Sequence, residues 1–285
     1  MIYLYKNLSD TEFKLFAELV HKRSGIYMKE SKNTLLSNRL KKRLKALGFT
    51  EYLEYYDYLQ NLQGKEQNRE FNMFFDVVST HETFFFRHEH NFETLLKVCL
   101  PEIAANKKYR SLRIWSAACS TGEEPYSIAM CVLENIEMFR GWNIEILATD
   151  ISRPVLEAGK IGRFHKRRME KVPPNYIDKY FTLTDDDPDC YEIKPELTKL
   201  VKFYQLNFFE DTFPRNVDII FCRNAMIYFD KEYQKRLVKD FHKIINKNGF
   251  LFVGYAETLY DISNDFEYKK ILSSPVYIPK QVDDE

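Results

Sequence analysis

The amino-acid sequence predicts an α/β chain in two parts: an all-helical N-terminal domain, then an open, largely parallel sheet with covering helices and a small inserted antiparallel β-subdomain. Three observations carry this prediction. Over the first 78 residues apolar side chains recur at three and four positions with no alternating stretch, which is the helical period. From Ser111 onward short β-branched runs alternate with helical stretches, as in a parallel sheet with its crossovers. Between 163 and 206 that rhythm fails, where VPPNY, the acidic turn DDDPD and the strand-like CYEIKPEL and LVKFYQL read as an insertion. The 285 residues suffice for two domains, since one takes roughly 100 to 200. The expected bounds are 1–78 for the helical domain, 79–95 for a linker and 96–285 for the sheet domain.

In chain order, Phe13, Phe16, Ala17 and Val20 mark the first helix. Ser31 is the expected cap of a second, whose apolar stripe is Leu36, Leu40, Leu44 and Leu47 and whose stop is Gly48. Two further helices are expected near 50–61 and 66–78. SLRIWSAA (111–118) is the first strand, and Pro125 suits the first turn of the helix after it. NIEILATD (143–150) is the second strand, with Ser152 and Pro154 opening the next helix. VDIIFCRN (217–224) and GFLFVGYAE (249–257) are buried strands separated by an amphipathic helix over 231–246. FEYKKILSSPVYIPK reads as a closing hairpin.

Composition narrows the function classes. No apolar run approaches the roughly 18 residues of a membrane span, and MIYLYKNLSD lacks a signal-peptide pattern. The five cysteines are odd in number, scattered and without CxxC spacing, which argues against a disulfide framework and a zinc site. A cytoplasmic protein without direct membrane insertion and without a metal is therefore expected. Lys plus Arg equals Asp plus Glu at 42 each, so there is no global positive field to gather nucleic acid. Locally, Lys29 to Lys45 carries seven basic residues against the single acid Glu30, a patch suited to an acidic partner.

In an open parallel sheet the ligand lies beyond the carboxyl ends of the strands. Three such ends carry polar residues: CSTGEEP (119–125), Asp150 and CRNAMIYF (222–229). Neither a GxGxxG fingerprint nor a P-loop occurs, so the pocket is not built for a pyrophosphate. A carboxylate beside the first turn suits instead a nucleoside bearing an ammonium, as S-adenosylmethionine does. An acid closing the second strand can accept both hydroxyls of a ribose.

The strings THETFFFR (80–87), WSAACSTGEEPYS (115–127), LATDIS (147–152) and FCRNAMIYFD (221–230), with SNRLKKRLKALG (37–48), resemble in order those of the CheR-type chemotaxis receptor methyltransferases. The resemblance spans nearly the whole chain. It implies a class I, Rossmann-like methyltransferase sheet and S-adenosylmethionine as donor. It further implies that the linker folds over the cofactor through His81, Thr83 and Arg87, with His81 standing where the family usually has Asn. By the same resemblance Glu124 approaches the methionyl ammonium, with Glu123 as its alternative, and Asp150 the ribose. Asn207, Phe208, Asn224 and Ala225 then surround the adenine or the substrate channel. Arg87 and Tyr228 are the candidates for orienting the incoming carboxylate.

The expected substrate is an acidic helical segment in the cytoplasmic domain of a methyl-accepting chemotaxis receptor, converted to glutamyl methyl esters with release of S-adenosylhomocysteine. Arg39, Lys42 and Arg43, placed opposite the leucine stripe, are expected to meet it, Arg39 foremost. The family's β-subdomain binds, in some members, a peptide at the receptor's C-terminus, so recruitment to receptor arrays is expected while tether use stays open. A nucleic-acid methyltransferase is the main rival, but its NPPY-like string would close the fourth strand, where this chain has FCRN; VPPNY lies in the insertion. A sensor that binds S-adenosylmethionine without transfer is the other.

Overall fold

The computed structural model describes residues 6–280, so the first five and last five residues of the expected domains lie outside the described residues. Helix α1 (Asp10–Ser24) starts at a capping box in which Ser9 and Glu12 each satisfy the other's backbone N–H. α2 (Asn33–Leu47) ends at Gly48, whose φ of 78° suits a residue without Cβ. Ser31, expected as its cap, lies instead inside a 3-10 turn over Glu30–Lys32 and caps nothing. The start of α2 is anchored by Asn33, whose amide donates to the Leu8 carbonyl at 3.1 Å. α3 (Tyr52–Asn61) and α4 (Gly64–Val78) complete the helical layer. Its core gathers Phe16, Val20, Leu36, Leu40, Leu44, Tyr55 and Phe74.

The second half of the expected linker is helical. α5 (Glu89–Thr94), a π-turn over Leu95–Cys99 and α6 (Leu100–Asn106) run on as one rod. Then come β1 (Ser111–Ala117), α7 (Glu123–Glu134), β2 (Asn143–Asp150) and α8 (Arg153–Ile161). The insertion holds β3 (Arg163–His165), α9 (Pro174–Tyr180), β4 (Phe181–Leu183) and β5 (Cys190–Ile193), with antiparallel order β3-β5-β4. It ends earlier than expected. After α10 (Pro195–Thr198), β6 (Val201–Gln205) leaves the insertion and pairs parallel with β2, Ile146 opposite Val201 through Asp150 opposite Gln205. β7 (Val217–Cys222), α11 (Lys231–Ile244), β8 (Ile245–Val253), β9 (Phe266–Ile271) and β10 (Ser274–Pro279) close the chain.

The large sheet has the order β6-β2-β1-β7-β8-β10-β9, its first five strands parallel and the C-terminal hairpin antiparallel. The chain passes from β1 to β2 on one side and later to β7 on the other. β1 is therefore the switch point, and a crevice opens beyond its carboxyl end. Gly122 opens α7 there with φ 97°, and a Cβ on it would lie 3.0 Å from the Phe203 ring and 3.2 Å from the Gly159 Cα. Gly122→Ala is expected to destabilise the fold by about 1–3 kcal/mol, since it adds a left-handed penalty to overpacking. Urea unfolding measures it, and an unchanged midpoint would contradict the close approach.

The helical domain docks across this crevice. Ile26 forms a β-bridge with Phe229, and the Tyr27 N–H donates to the Tyr228 carbonyl at 2.7 Å. His21 Nε2 lies 2.7 Å from Asp230 Oδ2, and the Asn207 amide donates to the Arg23 carbonyl at 2.7 Å. No described helix is long and apolar enough to cross a membrane.

Candidate active site

The turn leaving β1 alternates into the left-handed region at Ala118 (φ 64°), Ser120 (φ 51°) and Gly122. Each non-glycine residue held there costs about 1–3 kcal/mol, so the surroundings must fix it. They do so through Asp150 at the end of β2. Its Oδ2 accepts from the Ser120 N–H at 2.9 Å and its Oδ1 from the Ser152 N–H at 3.0 Å. Burial pushes the Asp150 carboxyl up from its ordinary value, and these backbone hydrogen bonds partly offset that.

Glu124, one residue inside α7, exposes only 13% of its side chain. Its Oε1 accepts from the Ser116 hydroxyl at 2.6 Å and its Oε2 from Arg223 at 3.0 Å. Burial raises the Glu124 carboxyl above its ordinary range, against the opposing pull of Arg223. Arg223 follows β7, is 2% exposed, and also donates to the Arg87 carbonyl, so one guanidinium ties α7, β7 and the linker together. Its Nε has no partner among the described residues. Burial first, then Arg223 and Arg87, push His88 down to about 4, leaving a neutral imidazole stacked on Tyr255 at 4.2 Å.

The next residue, Asn224, is held at φ 59° by Glu257, whose carboxylate accepts the backbone N–H groups of Asn224 (2.8 Å), Ile227 (3.1 Å) and Gly254 (2.6 Å). That fixes the segment carrying Ala225 and Tyr228. The Asn224 Oδ1 is buried without a partner among the described residues.

These segments enclose a cleft of about 440 Å³. His81, Thr83, Arg87, Glu124, Asp150, Asn207, Phe208, Asn224 and Ala225 all line it, as do Tyr228 and Arg39. Their side chains are not equally free. The Asn207 amide is taken up by the Arg23 carbonyl and the Phe209 N–H, so it braces the two domains. Phe208 packs edge-on against Trp115, Phe213 and Phe241. Arg87 donates to the Glu82 carbonyl at 2.8 Å within its own loop. Glu123, the alternative to Glu124, is fully buried, bonded to Thr121 and Arg168, and does not line the cleft. Arg168 also donates to the Thr83 carbonyl at 2.7 Å, pinning the linker.

The basic face of α2 needs correction. Arg43 is buried and makes a two-pronged pair with Glu70 at 3.0 and 2.6 Å, while the Tyr55 hydroxyl donates to the same carboxylate at 2.8 Å. It cannot meet a partner. Lys42 is exposed and lies outside the cleft. Arg39 is half-buried, donates to the Val78 carbonyl and to Thr80 Oγ1 (2.8 Å), and has its pKa lowered by burial against the raising effect of nearby Tyr228. Sequence reasoning gave no role to Ser120, Arg223, Glu257 or Asp76. Ser120 and Arg223 had a signal, their places in the matched strings WSAACSTGEEPYS and FCRNAMIYFD, whereas Glu257 and Asp76 had none.

Two family descriptions match in register with this architecture: "CheR methyltransferase, all-alpha domain" over residues 11–79 and "CheR methyltransferase, SAM binding domain" over 81–274. The chain belongs to the CheR methyltransferase family. It is 36% identical to the chemotaxis protein methyltransferase of Borreliella burgdorferi, covering 89% of this chain and 90% of that one. It is 33% identical to that of Salmonella typhimurium (92% and 88% covered) and 34% identical to that of Escherichia coli (91% and 88%). It is thus an S-adenosylmethionine-dependent methyltransferase. The CheR cleft fits this cofactor on its own chemistry. Its volume is in the range of small-molecule sites, it presents two nearly buried carboxylates suited to a cationic donor, and the orphaned Asn224 oxygen awaits a hydrogen-bond donor.

Proposed function

We propose that this chain transfers the methyl group of S-adenosylmethionine to glutamate side chains in the cytoplasmic domains of chemoreceptors, giving glutamyl methyl esters. The observation that carries this is the distribution of charge within one cleft: the sheet wall presents Asp150 and Glu124, the latter paired with Arg223, and keeps a net negative charge, whereas the helical wall presents Lys32 and Arg39. The first suits a cation and the second an anion. Bound S-adenosylmethionine would supply an electrophilic methyl group on a sulfonium, which a carboxylate can attack directly with S-adenosylhomocysteine as the leaving thioether.

Asp150 is assigned to the donor's ribose hydroxyls, Glu124 to its ammonium and Arg87 to its carboxylate, with His81, Thr83, Asn224, Ala225, Phe208 and the backbone around Asn207 shaping the rest. An acceptor glutamate, with an ordinary pKa near 4.3, is already ionised, and no proton has to move as the C–O bond forms and the C–S bond breaks. No general base is required of the chain. Its task is alignment, worth roughly 7 to 11 kcal/mol, with Tyr228, Arg87 and Arg39 steering the carboxylate and the docked helical domain keeping water out. Lys42, exposed and outside the cleft, is assigned to long-range attraction of the acidic receptor helix. β3 and β4, the edges of the small sheet, are the strands to which a receptor C-terminal peptide would add. Such contacts would recruit the enzyme to receptor arrays from the cytoplasm.

Incubation with methyl-labelled S-adenosylmethionine and receptor-containing membranes tests the proposal. Base-labile label on receptor glutamates is expected. Base-stable label, label on nucleic acid, or donor binding with no transfer would overturn it.

Donor binding should also depend on pH with a definite sign. Burial raises the carboxyls of Glu124 and Asp150, so each loses its charge at a higher pH than a solvent-exposed carboxylate. Affinity for S-adenosylhomocysteine, which keeps the ammonium, is expected to be full where both acids are ionised and to fall on acidification through a range lying above that of an ordinary exposed carboxylate. Calorimetry across that range measures it. Glu124→Gln should bind more weakly and flatten the decline, while a flat wild-type profile would contradict the assignment.

A further inference from the structure

Asp76, at the end of α4, lies outside every motif considered above, yet it reaches across to the sheet domain. Its Oδ1 accepts from the Ser152 hydroxyl at 2.7 Å, and its backbone carbonyl pairs with His81 Nε2 at 2.8 Å. Ser152 is fully buried, and its own N–H donates to Asp150 Oδ1. Asp150 Oδ2 in turn accepts from the Ser120 N–H, and the Ser120 hydroxyl donates to the His81 carbonyl at 2.9 Å. The contacts close a ring through Asp76, Ser152, Asp150, Ser120 and His81. Four of these belong to the sheet domain and the linker; only Asp76 comes from the helical domain.

We infer that Asp76 is a positioning residue of the donor pocket: from the helical domain it holds Ser152 and His81, and through them sets the orientation of Asp150 and the turn after β1. Without its carboxylate oxygen the buried Ser152 hydroxyl loses its acceptor and is left to compete for Asp150, whose Oδ1 already accepts the Ser152 N–H. The carboxylate meant for the donor would then be shared. Donor binding is in this way tied to docking of the helical domain, the part that meets the acceptor, so the two ligands' affinities become linked. The inference rests on the proposed placement of the donor against Asp150.

Calorimetric titration of the full chain with S-adenosylhomocysteine, well below the melting temperature, tests it. Asp76→Ala is expected to weaken binding about tenfold. Asp76→Asn, which keeps an amide oxygen for the Ser152 hydroxyl, should restore affinity to within about threefold of wild type. Ser152→Ala should weaken binding as Asp76→Ala does, and the double variant should be no weaker than the weaker single, since both remove one hydrogen bond. Wild-type affinity in Asp76→Ala, equal weakness in Asp76→Asn, or additivity in the double variant would each overturn the inference. Should Asp76→Ala not fold, Ser152→Ala and Asp76→Asn carry the same comparison. Undiminished binding in Asp150→Ala would instead remove the donor placement beneath it.

Discussion

Asp150→Ala is expected to weaken S-adenosylhomocysteine binding by about 100-fold or more, through three losses that coincide. The carboxylate assigned to the ribose hydroxyls disappears. The Ser120 N–H, held at 2.9 Å, loses the acceptor that keeps its residue at φ 51°. The Ser152 N–H, held at 3.0 Å, loses its acceptor as well. A buried donor without a partner costs about 1–3 kcal/mol, so the turn after β1 should relax rather than keep its shape. Calorimetry gives the affinity, and far-UV circular dichroism shows that the fold persists. Asp150→Asn, which retains one acceptor oxygen, should fall between. Tight binding by the alanine variant would show that the donor does not lean on this strand end.

Arg223→Met is expected to have the largest effect on stability. Its guanidinium is 2% exposed and faces Glu124 at 3.0 Å, so its removal leaves a nearly buried carboxylate with only the Ser116 hydroxyl. Breaking one side of a buried pair typically costs about 3–5 kcal/mol. The same change frees the Arg87 carbonyl and loosens the linker over the cleft. Glu124→Gln in the same chain removes the uncompensated charge, so the double variant should be more stable than Arg223→Met alone. Urea unfolding of the four proteins measures this. Equal stability of the two Arg223 variants would mean that the pair is solvated and not a structural centre.

The sequence made the sheet legible where strands are buried on both faces, because VDIIFC and EILATD are runs that only a covered sheet accommodates. β6 was misplaced for the converse reason. As an edge strand of five residues it is buried only at Val201 and Phe203, a pattern equally at home in the small insertion. Arg43 was misread because its charge was allowed to outweigh its spacing. It stands seven residues, about two turns, after Leu36, which puts it on the buried stripe, and its neutralising partner Glu70 is 27 positions away and invisible to local pattern. The cleft residues were found through motif resemblance, while Arg223, Glu257 and Asp76 were not. Their importance lies in whom they hold, and the decisive pairings join segments distant in sequence, Asp76 with Ser152, Arg223 with Glu124 and Glu257 with Asn224. Asn207 lines the cleft, and its bond to Arg23 is a contact made by docking of one domain on the other, which no local pattern announces.

On the proposed reading, the crevice beyond β1 grips a cationic nucleoside between Asp150 and Glu124 beneath the linker. A crystal structure of the chain with S-adenosylhomocysteine tests it most directly. The ribose is expected against the Asp150 carboxylate, the ammonium near Glu124, and the sulfur directed toward Tyr228 and Arg39. A ligand seated elsewhere, or in the crevice with its ammonium away from both acids, would contradict it.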